Sequence, residues 1–418
     1  MRMSLLQASE SAESVVALQG RARARWRFPL LIVLLLVMLA YFVVVRLTAP
    51  AADTPVDNFL LLYMGGFLPY GLACAVVFCT PAPQGRWRWL ELGSILLAGL
   101  VMRALLLPLE PDLSRDSWRY LWDARVTLLG YSPYAYVPAD PRFHSIQDFL
   151  FVNSRYRFSP ALYPPGAQGV FLISYLLAPS NLPFLKGMFV LMDLVTSGGI
   201  AYLLARRGVD WSRCLLYALC PVPIIEFALQ GHVDACPVVF SVLAVIFAQE
   251  TWKGSRVVTG LCIALATLTK LYPILLLVVL VRRRDWALVL TCFVTIVAAY
   301  LPYVIMGHGQ IFGFFSTYAS EQQPNAGPVY LLLTTWEATV KGSWARLVFF
   351  AVEGLVMGGA VLAVLWLRWH RRIGIEAGLL VLYGVIFAVS SHIFPWYTPT
   401  LLPWVALLLG FYGGKVKV

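Results

Sequence analysis

Residues 286–305 read WALVLTCFVTIVAAYLPYVI, a run without a single charge. An α-helix rises 1.5 Å per residue, so about 20 apolar residues are enough to cross the hydrocarbon core of a bilayer. Similar runs recur along the chain, for example at residues 30–45, 59–78 and 347–367. This pattern predicts an all-α polytopic membrane protein.

The composition of the whole chain agrees with this interpretation. Of its 418 residues, 60% are hydrophobic and 13% are charged, whereas soluble domains carry about 25% charged residues. We therefore expect residues 1–418 to form a single integral membrane domain, with residues 1–28 as a cytoplasmic N-terminal segment. The net charge of +11 comes from short basic clusters between apolar runs. The positive-inside rule explains such clusters, and nucleic acid is not an expected partner.

The arginine clusters also predict an orientation. Arg27 precedes the first apolar run, and Arg282, Arg283 and Arg284 follow a later one. If both clusters face the cytoplasm, both termini do too, and the chain makes about twelve crossings. These lie near residues 29–48, 58–80, 89–108, 184–205, 213–230, 234–250, 256–281 (two crossings), 286–305, 346–367, 375–391 and 397–412.

Two segments need special treatment in this scheme. Residues 166–178 are apolar but too short to span comfortably, so we expect an interfacial or re-entrant helix on the outer side. Residues 256–281 would place the next arginines outside if they formed one helix. A hairpin broken between Lys270 and Pro273 avoids this, since proline removes a backbone donor and favours a break.

The long segment 110–183 then faces outward, and we expect it to hold interfacial helices and chemically active residues. Asp116, Arg119 and Asp123 follow one another at spacings of three and four, which places them near one face of a helix. A salt-bridged amphipathic helix lying on the membrane would show the same spacing. The spacing alone therefore leaves both interpretations open.

More polar and aromatic residues fall on the same predicted side of the membrane. An ionisable group at membrane depth is costly and is a functional candidate by default. Several such groups beside one acidic loop favour a site over isolated structural pairs. They are Glu226, His232, Asp234, Lys270 and His392, with Trp396 and Tyr397 beside the last of them.

The motifs resemble those of the class C (GT-C) membrane glycosyltransferases. The runs DSWRYLWDAR from Asp116, GYSPY from Gly130 and YPP from Tyr163 are similar to bacterial polyprenol-phosphate-mannose-dependent mannosyltransferases. So are GHVD from Gly231, LTKLYP from Leu268 and FPWY from Phe394. Together with RYRFSP from Arg155, their order is also similar to the first mannosyltransferase of glycosylphosphatidylinositol synthesis.

The resemblance implies a GT-C-like fold in a bacterial plasma (inner) membrane, with the active site on the outer face. The donor would be a polyprenyl-phosphate sugar, with mannose the first expectation, and the acceptor a glycan or a lipid-linked molecule among the membrane lipids. Transfer would invert the anomeric carbon, with Asp116 as the catalytic base. The substrate-binding residues would be Arg119, Tyr120, Asp123, Tyr163, Glu226, His232, Asp234, Lys270, Tyr272, His392, Trp396 and Tyr397.

The chain departs from the family pattern in two ways. Members often carry two adjacent acids where this chain has Arg115 and Asp116, so a divalent metal stays an open question. The acidic loop follows the third predicted span instead of the first. A lipid-glycan flippase or ligase and a small-molecule transporter remain alternatives, although a transporter would place its charges near the midplane of inverted halves, which we do not find.

Overall fold

The structure is a computed structural model, and it describes residues 26–48, 60, 63–111, 113–313, 328–340, 344–390 and 393–412. Within these ranges the secondary structure is helical and contains no strand, as predicted. The helices of eleven or more residues are α1 Trp26–Thr48, α2 Tyr63–Cys79, α3 Arg86–Leu106, α4 Asp116–Leu128, α5 Pro165–Leu177, α6 Leu182–Arg206, α7 Ala235–Ala248, α8 Ser255–Thr267, α9 Trp286–Met306, α10 Pro328–Val340, α11 Trp344–Trp369, α12 Ile375–Val389 and α13 Leu402–Tyr412.

Helix length limits how many of these elements can cross a bilayer unaided. Five helices of the described part, α1, α3, α6, α9 and α11, are long and apolar enough to do so, and a bent pair could add a sixth. The chain is therefore a polytopic membrane protein, but the predicted twelve crossings are not confirmed. Helices such as α7, with 14 residues, fall short of the roughly 20 residues that a span needs.

The predicted span at residues 213–230 differs in shape from the expectation. Two helical pieces, Trp211–Ala218 and Pro221–Leu229, meet at an angle of 51°. Cys220 has an extended backbone with ψ of 128°, which is the conformation that a following proline imposes. Pro221 also lacks the N–H that a continuous helix requires. Proline is thus the physical reason for the bend.

The chain turns back on itself where the hairpin was predicted. Helix α8 ends at Thr267, and a 3-10 turn, Tyr272–Leu275, starts the return. Arg256, near the start of α8, donates to the carbonyl of Leu280 at 2.8 Å, so the two arms lie side by side. Lys270 lies in the turn. Each arm is shorter than a typical span.

Ion pairs join many helix ends at the arginine-rich end of the molecule. Arg27 pairs with Glu91 at 2.5 Å and with Asp210 at 2.6 Å. Three further pairs link other helix ends there, namely Arg206–Glu250, Arg207–Glu376 and Arg256–Asp285. We call this set the arginine end. The described basic residues of these pairs therefore lie together, while the cytoplasmic location of this end stays a prediction.

A buried ion pair lies between α3 and α6. Arg103 donates to Asp193 at 2.5 Å, and neither side chain is exposed. The Arg103 guanidinium also donates to the carbonyls of Gly99 and Ala218. These contacts tie two long helices to the first piece of the bent pair.

The opposite end of the molecule holds α4 and α5. Tyr120 of α4 stacks on Phe171 of α5 with ring centroids 4.3 Å apart. Arg125 donates to the hydroxyl of Tyr175 at 3.0 Å. Proline at the first position of α5 suits a helix start, because the N–H it lacks would have no helical partner there. These contacts hold α4 against α5.

Candidate active site

A cavity of about 370 Å³ opens beside α4, within the size range of small-molecule sites. Four separate chain segments line it, and eight of the predicted site residues are among them. Those eight are Asp116, Arg119, Tyr120, Asp123, Tyr163, Lys270, Trp396 and Tyr397. The sequence motifs, although far apart along the chain, therefore meet at one place.

Asp116 lies in the first turn of α4, with its side chain half-buried at the cavity wall. Its backbone N–H donates to the hydroxyl of Ser114 at 3.3 Å, while its carboxylate has no hydrogen bond or ion pair with any described residue. An acid in the first turn is favoured by the helix dipole. The Asp116 carboxylate thus has no described counter-charge and is free to accept a proton.

Asp123 is in a different situation, two turns further along α4. Arg119 donates to it at 2.7 Å, and Gln168 donates at 3.5 Å. Burial raises the pKa of Asp123 above its ordinary range, and the positive charge of Arg119 opposes that rise. Arg119 also donates to the carbonyls of Tyr156 and Ser159. This pair therefore holds the cavity wall together.

The hydroxyls of Tyr120 and Tyr163 meet on the same wall. Tyr120 donates to Tyr163 at 3.0 Å, and the rings form an edge-on contact. Burial raises the pKa of Tyr163 well above its ordinary value, and the neighbouring Tyr120 hydroxyl and the negative charge of Asp116 add to that rise. Both hydroxyls consequently stay protonated. The Tyr120 proton is donated to Tyr163, so the Tyr163 hydroxyl is the one that can donate to a further group.

Lys270 lines the cavity from the turn between α8 and the 3-10 helix Tyr272–Leu275. Its ammonium lies 3.3 Å from Asp234, an ion-pair distance without an aligned hydrogen bond, since both Asp234 oxygens lack a donor among the described residues. The ammonium also lies 4.2 Å from the ring centre of Tyr397 and 5.3 Å from that of Tyr163. These contacts fix the charge at the cavity surface.

Glu226 and His232 form a second layer behind the cavity. Glu226 lies 2.9 Å from Nδ1 of His232, and both side chains are buried. His232 stacks on Trp396 with ring centroids 4.0 Å apart, and Trp396 faces the cavity. Glu226 lies in a π-helical turn, Ile224–Leu229, a feature frequent at functional sites. The two residues thus support the cavity through Trp396.

Tyr272, another predicted site residue, does not line the cavity. Tyr272 is buried, its hydroxyl shares a 2.7 Å hydrogen bond with Thr400, and its ring packs against Tyr383. It stabilises the turn that carries Lys270. His392 lies outside the described residues, so its predicted role stays a prediction.

Eight residues that line the cavity were absent from the predicted set, among them Arg155, Tyr156 and Phe394. These three stand within the quoted motifs RYRFSP and FPWY. Their motif membership was therefore a usable signal. Spacing within a helix could not identify them, because none of the three lies in one of the helices α1–α13.

A divalent metal was left open by the sequence. Among the described residues, no group of three or more His, Cys, Asp or Glu side chains could hold a metal ion. Of the two acids in the cavity wall, Asp123 is already paired with Arg119. The described residues that line this cavity do not fit a metal site.

Comparison with known proteins identifies the family to which the chain belongs. The model of glycosyltransferase family 87 matches residues 161–410, more than half of the chain. The chain belongs to glycosyltransferase family 87. This is a family of class C membrane glycosyltransferases, so the class predicted from the motifs is confirmed. No curated protein matches the chain, and no solved structure matches it either.

The match with family 87 covers only part of the cavity. Lys270, Trp396 and Tyr397 lie within the matched residues, whereas α4 with Asp116 precedes them. The family therefore establishes a membrane glycosyltransferase. The sugar, the donor lipid and the role of each residue have to be argued from the site itself.

Proposed function

We propose that this family 87 member transfers a hexose from a polyprenyl-phosphate sugar to a glycan or lipid-linked acceptor. The reaction would occur on the outer face of the membrane with inversion at the anomeric carbon, and mannose is the first sugar to test. The observation that carries the proposal is the free carboxylate of Asp116 in a cavity that also presents Lys270.

The proposed mechanism follows from the chemistry of the acceptor. A sugar hydroxyl is a weak nucleophile until a base takes its proton, and general-base help of this kind contributes about 10²- to 10⁴-fold. Asp116 can take that proton because no described cation neutralises it. Asp123 cannot do so equally well, since Arg119 occupies it.

The donor's phosphate needs a positive charge as it leaves. Lys270 lies at the cavity surface and is held by Asp234 and two aromatic rings. A fixed charge that stabilises the opposite charge developing in the transition state can contribute strongly to the rate. Tyr120 donates to Tyr163, and the Tyr163 hydroxyl keeps its own proton as a donor that could orient the sugar.

The test is an assay of the purified protein with a panel of labelled polyprenyl-phosphate sugars. Release of the sugar from the lipid and its appearance on an acceptor are expected. A flippase or transporter would move a substrate without breaking the bond between sugar and phosphate, and a ligase would transfer from a preassembled lipid-linked glycan. An absence of sugar release from every donor in the panel would contradict the proposal.

A further inference from the structure

One cation of the cavity has no partner in the described part of the chain. Arg155 lines the cavity and is exposed, and it forms no ion pair or hydrogen bond with another described residue. The other two cations are held, Arg119 by Asp123 at 2.7 Å and Lys270 by Asp234 at 3.3 Å. The cavity therefore presents one unpaired positive charge.

The cavity also presents one unpaired negative charge, that of Asp116. The two pairs Arg119–Asp123 and Lys270–Asp234 each sum to zero. The unpaired charges of the described cavity residues are therefore the carboxylate of Asp116 and the guanidinium of Arg155. A reaction that moves a negative charge from the first to the second would suit this arrangement.

The proposed transfer moves charge in that way. A polyprenyl-phosphate sugar is a phosphodiester with one negative charge. When the bond between the anomeric carbon and the phosphate oxygen breaks, its electron pair stays on that oxygen, and polyprenyl phosphate leaves with a second negative charge. The acceptor oxygen bonds to the anomeric carbon, and its proton neutralises Asp116. Negative charge therefore disappears at the base and appears at the phosphate.

We propose that Arg155 is a second cation that, together with Lys270, binds the phosphate of the polyprenyl-phosphate donor, and that its unpaired charge stabilises the negative charge that develops there. This inference rests on the proposed function. A guanidinium presents a planar fork of donors that matches phosphate oxygens, and it stays charged at any physiological pH. Because the leaving phosphate gains charge, the contact strengthens in the transition state and contributes to the rate as well as to binding.

The surroundings of Arg155 fit a lipid-borne phosphate. Phe158 is 83% exposed and Val152 is 56% exposed, both within three residues of Arg155. Large apolar side chains that lie bare beside a cation are suited to the boundary between acyl chains and headgroups. A polyprenyl chain could lie against them while its phosphate reaches the cavity.

The experiment measures direct binding of labelled polyprenyl phosphate, without sugar, to the purified protein in detergent. Its matched variants are Arg155→Gln, Arg155→Lys and Arg142→Gln. Arg142 lies in the same outer segment, pairs with Asp140 and does not line the cavity. Neutral polyprenol and phosphatidylglycerol serve as competitors. Thermal unfolding of each variant reports whether it is folded.

The wild type should prefer polyprenyl phosphate to polyprenol, and Arg155→Gln should lose about tenfold or more of that preference. Arg155→Lys should keep part of it, and Arg142→Gln all of it. An unchanged preference in Arg155→Gln would overturn the assignment. Competition by phosphatidylglycerol as strong as by polyprenyl phosphate would also overturn it, since Arg155 would then bind lipid headgroups in general.

Failure of this inference is distinguishable from failure of the proposed function. Sugar release by a wild type whose Arg155→Gln variant binds polyprenyl phosphate normally would leave the transferase in place and remove Arg155 from it. Binding that depends on Arg155, without sugar release from any donor, would remove the transferase and keep the phosphate contact.

Discussion

Arg119 donates to Asp123 at 2.7 Å and makes no ion pair with Asp116, although both acids lie within reach of it along α4. Spacings of three and four residues both allow a helical pair, so the choice between them is made by the surrounding structure. Arg119 is drawn toward Asp123 because it also donates to the carbonyls of Tyr156 and Ser159. Asp116 is left without a counter-charge as a result.

Substitution of Asp116 tests the base directly. Asp116→Asn keeps the size of the side chain but cannot take the acceptor's proton, so turnover should fall by about 10²-fold or more. Donor binding should be largely retained. Steady-state kinetics with a saturating donor measures the effect, and Asp123→Asn is the comparison, since its defect should include lower thermal stability. Near-normal transfer by Asp116→Asn would move attention to Asp112, which lies outside the described residues.

Lys270 should contribute to donor affinity. Lys270→Met should weaken donor binding roughly tenfold by removing one charged contact. Because this change also leaves Asp234 buried without its partner, the double variant Lys270→Met with Asp234→Asn is the better test of binding. It should be folded and still bind poorly. Wild-type affinity in the double variant would show that Lys270 only extends its ammonium from a helix end.

The orientation of the chain can be tested with cysteines. Ser145 is exposed in the segment predicted to lie outside, so Ser145→Cys should react with an impermeant thiol reagent in intact cells. Arg283→Cys should react only after the membrane is permeabilised. Cys79, the native cysteine that is exposed, is first replaced by serine. Labelling of Arg283→Cys with protection of Ser145→Cys would invert the topology.

Helix α5 should lie at the outer interface without crossing. It has 13 residues, too few for a span of about 20, and Asn181 caps the next helix shortly after it. Ala178→Cys should therefore be labelled from the outside, as Ser145→Cys is. Protection of Ala178→Cys until permeabilisation would mean that α5 crosses, and every later crossing would have to be recounted.

The buried pair of Arg103 and Asp193 should matter for stability. Arg103→Leu leaves a carboxylate buried without its partner, which costs about 3 to 5 kcal/mol in buried pairs of this kind. Denaturant titration of the protein in detergent measures the loss in the free energy of unfolding. Replacing both residues by leucine should recover most of the stability, because no charge remains buried. Equal loss in the single and double variants would assign the effect to packing.

Much of the site was predictable because its residues belong to recognisable local patterns. Asp116, Arg119 and Asp123 stand at helical spacings, and Lys270 precedes a proline break that the structure contains. The pairing of Arg119 was not predictable, since it depends on carbonyls about 40 residues away. The unpaired state of Arg155 was not predictable either, since the sequence does not show which acids of the cavity are already paired with Arg119 and Lys270.

The fold was predictable in class but not in its count of crossings. Hydropathy identifies apolar stretches, yet it cannot tell a full span from a short helix buried against others. Residues 213–230 read as one apolar run in the sequence. In the structure this run bends after Ala218, where Cys220 has an extended backbone before Pro221. Proline effects on the preceding residue were the available signal.

The cavity draws its walls from chain segments that are far apart in order of synthesis. Asp116 leaves the ribosome 280 residues before Trp396, an interval of roughly 14 to 56 seconds at ordinary elongation rates. During that time α4 is present while the wall formed by Trp396 and Tyr397 does not yet exist. The nascent protein therefore has no complete site until its last turns are inserted, and activity should begin only with that late step of assembly.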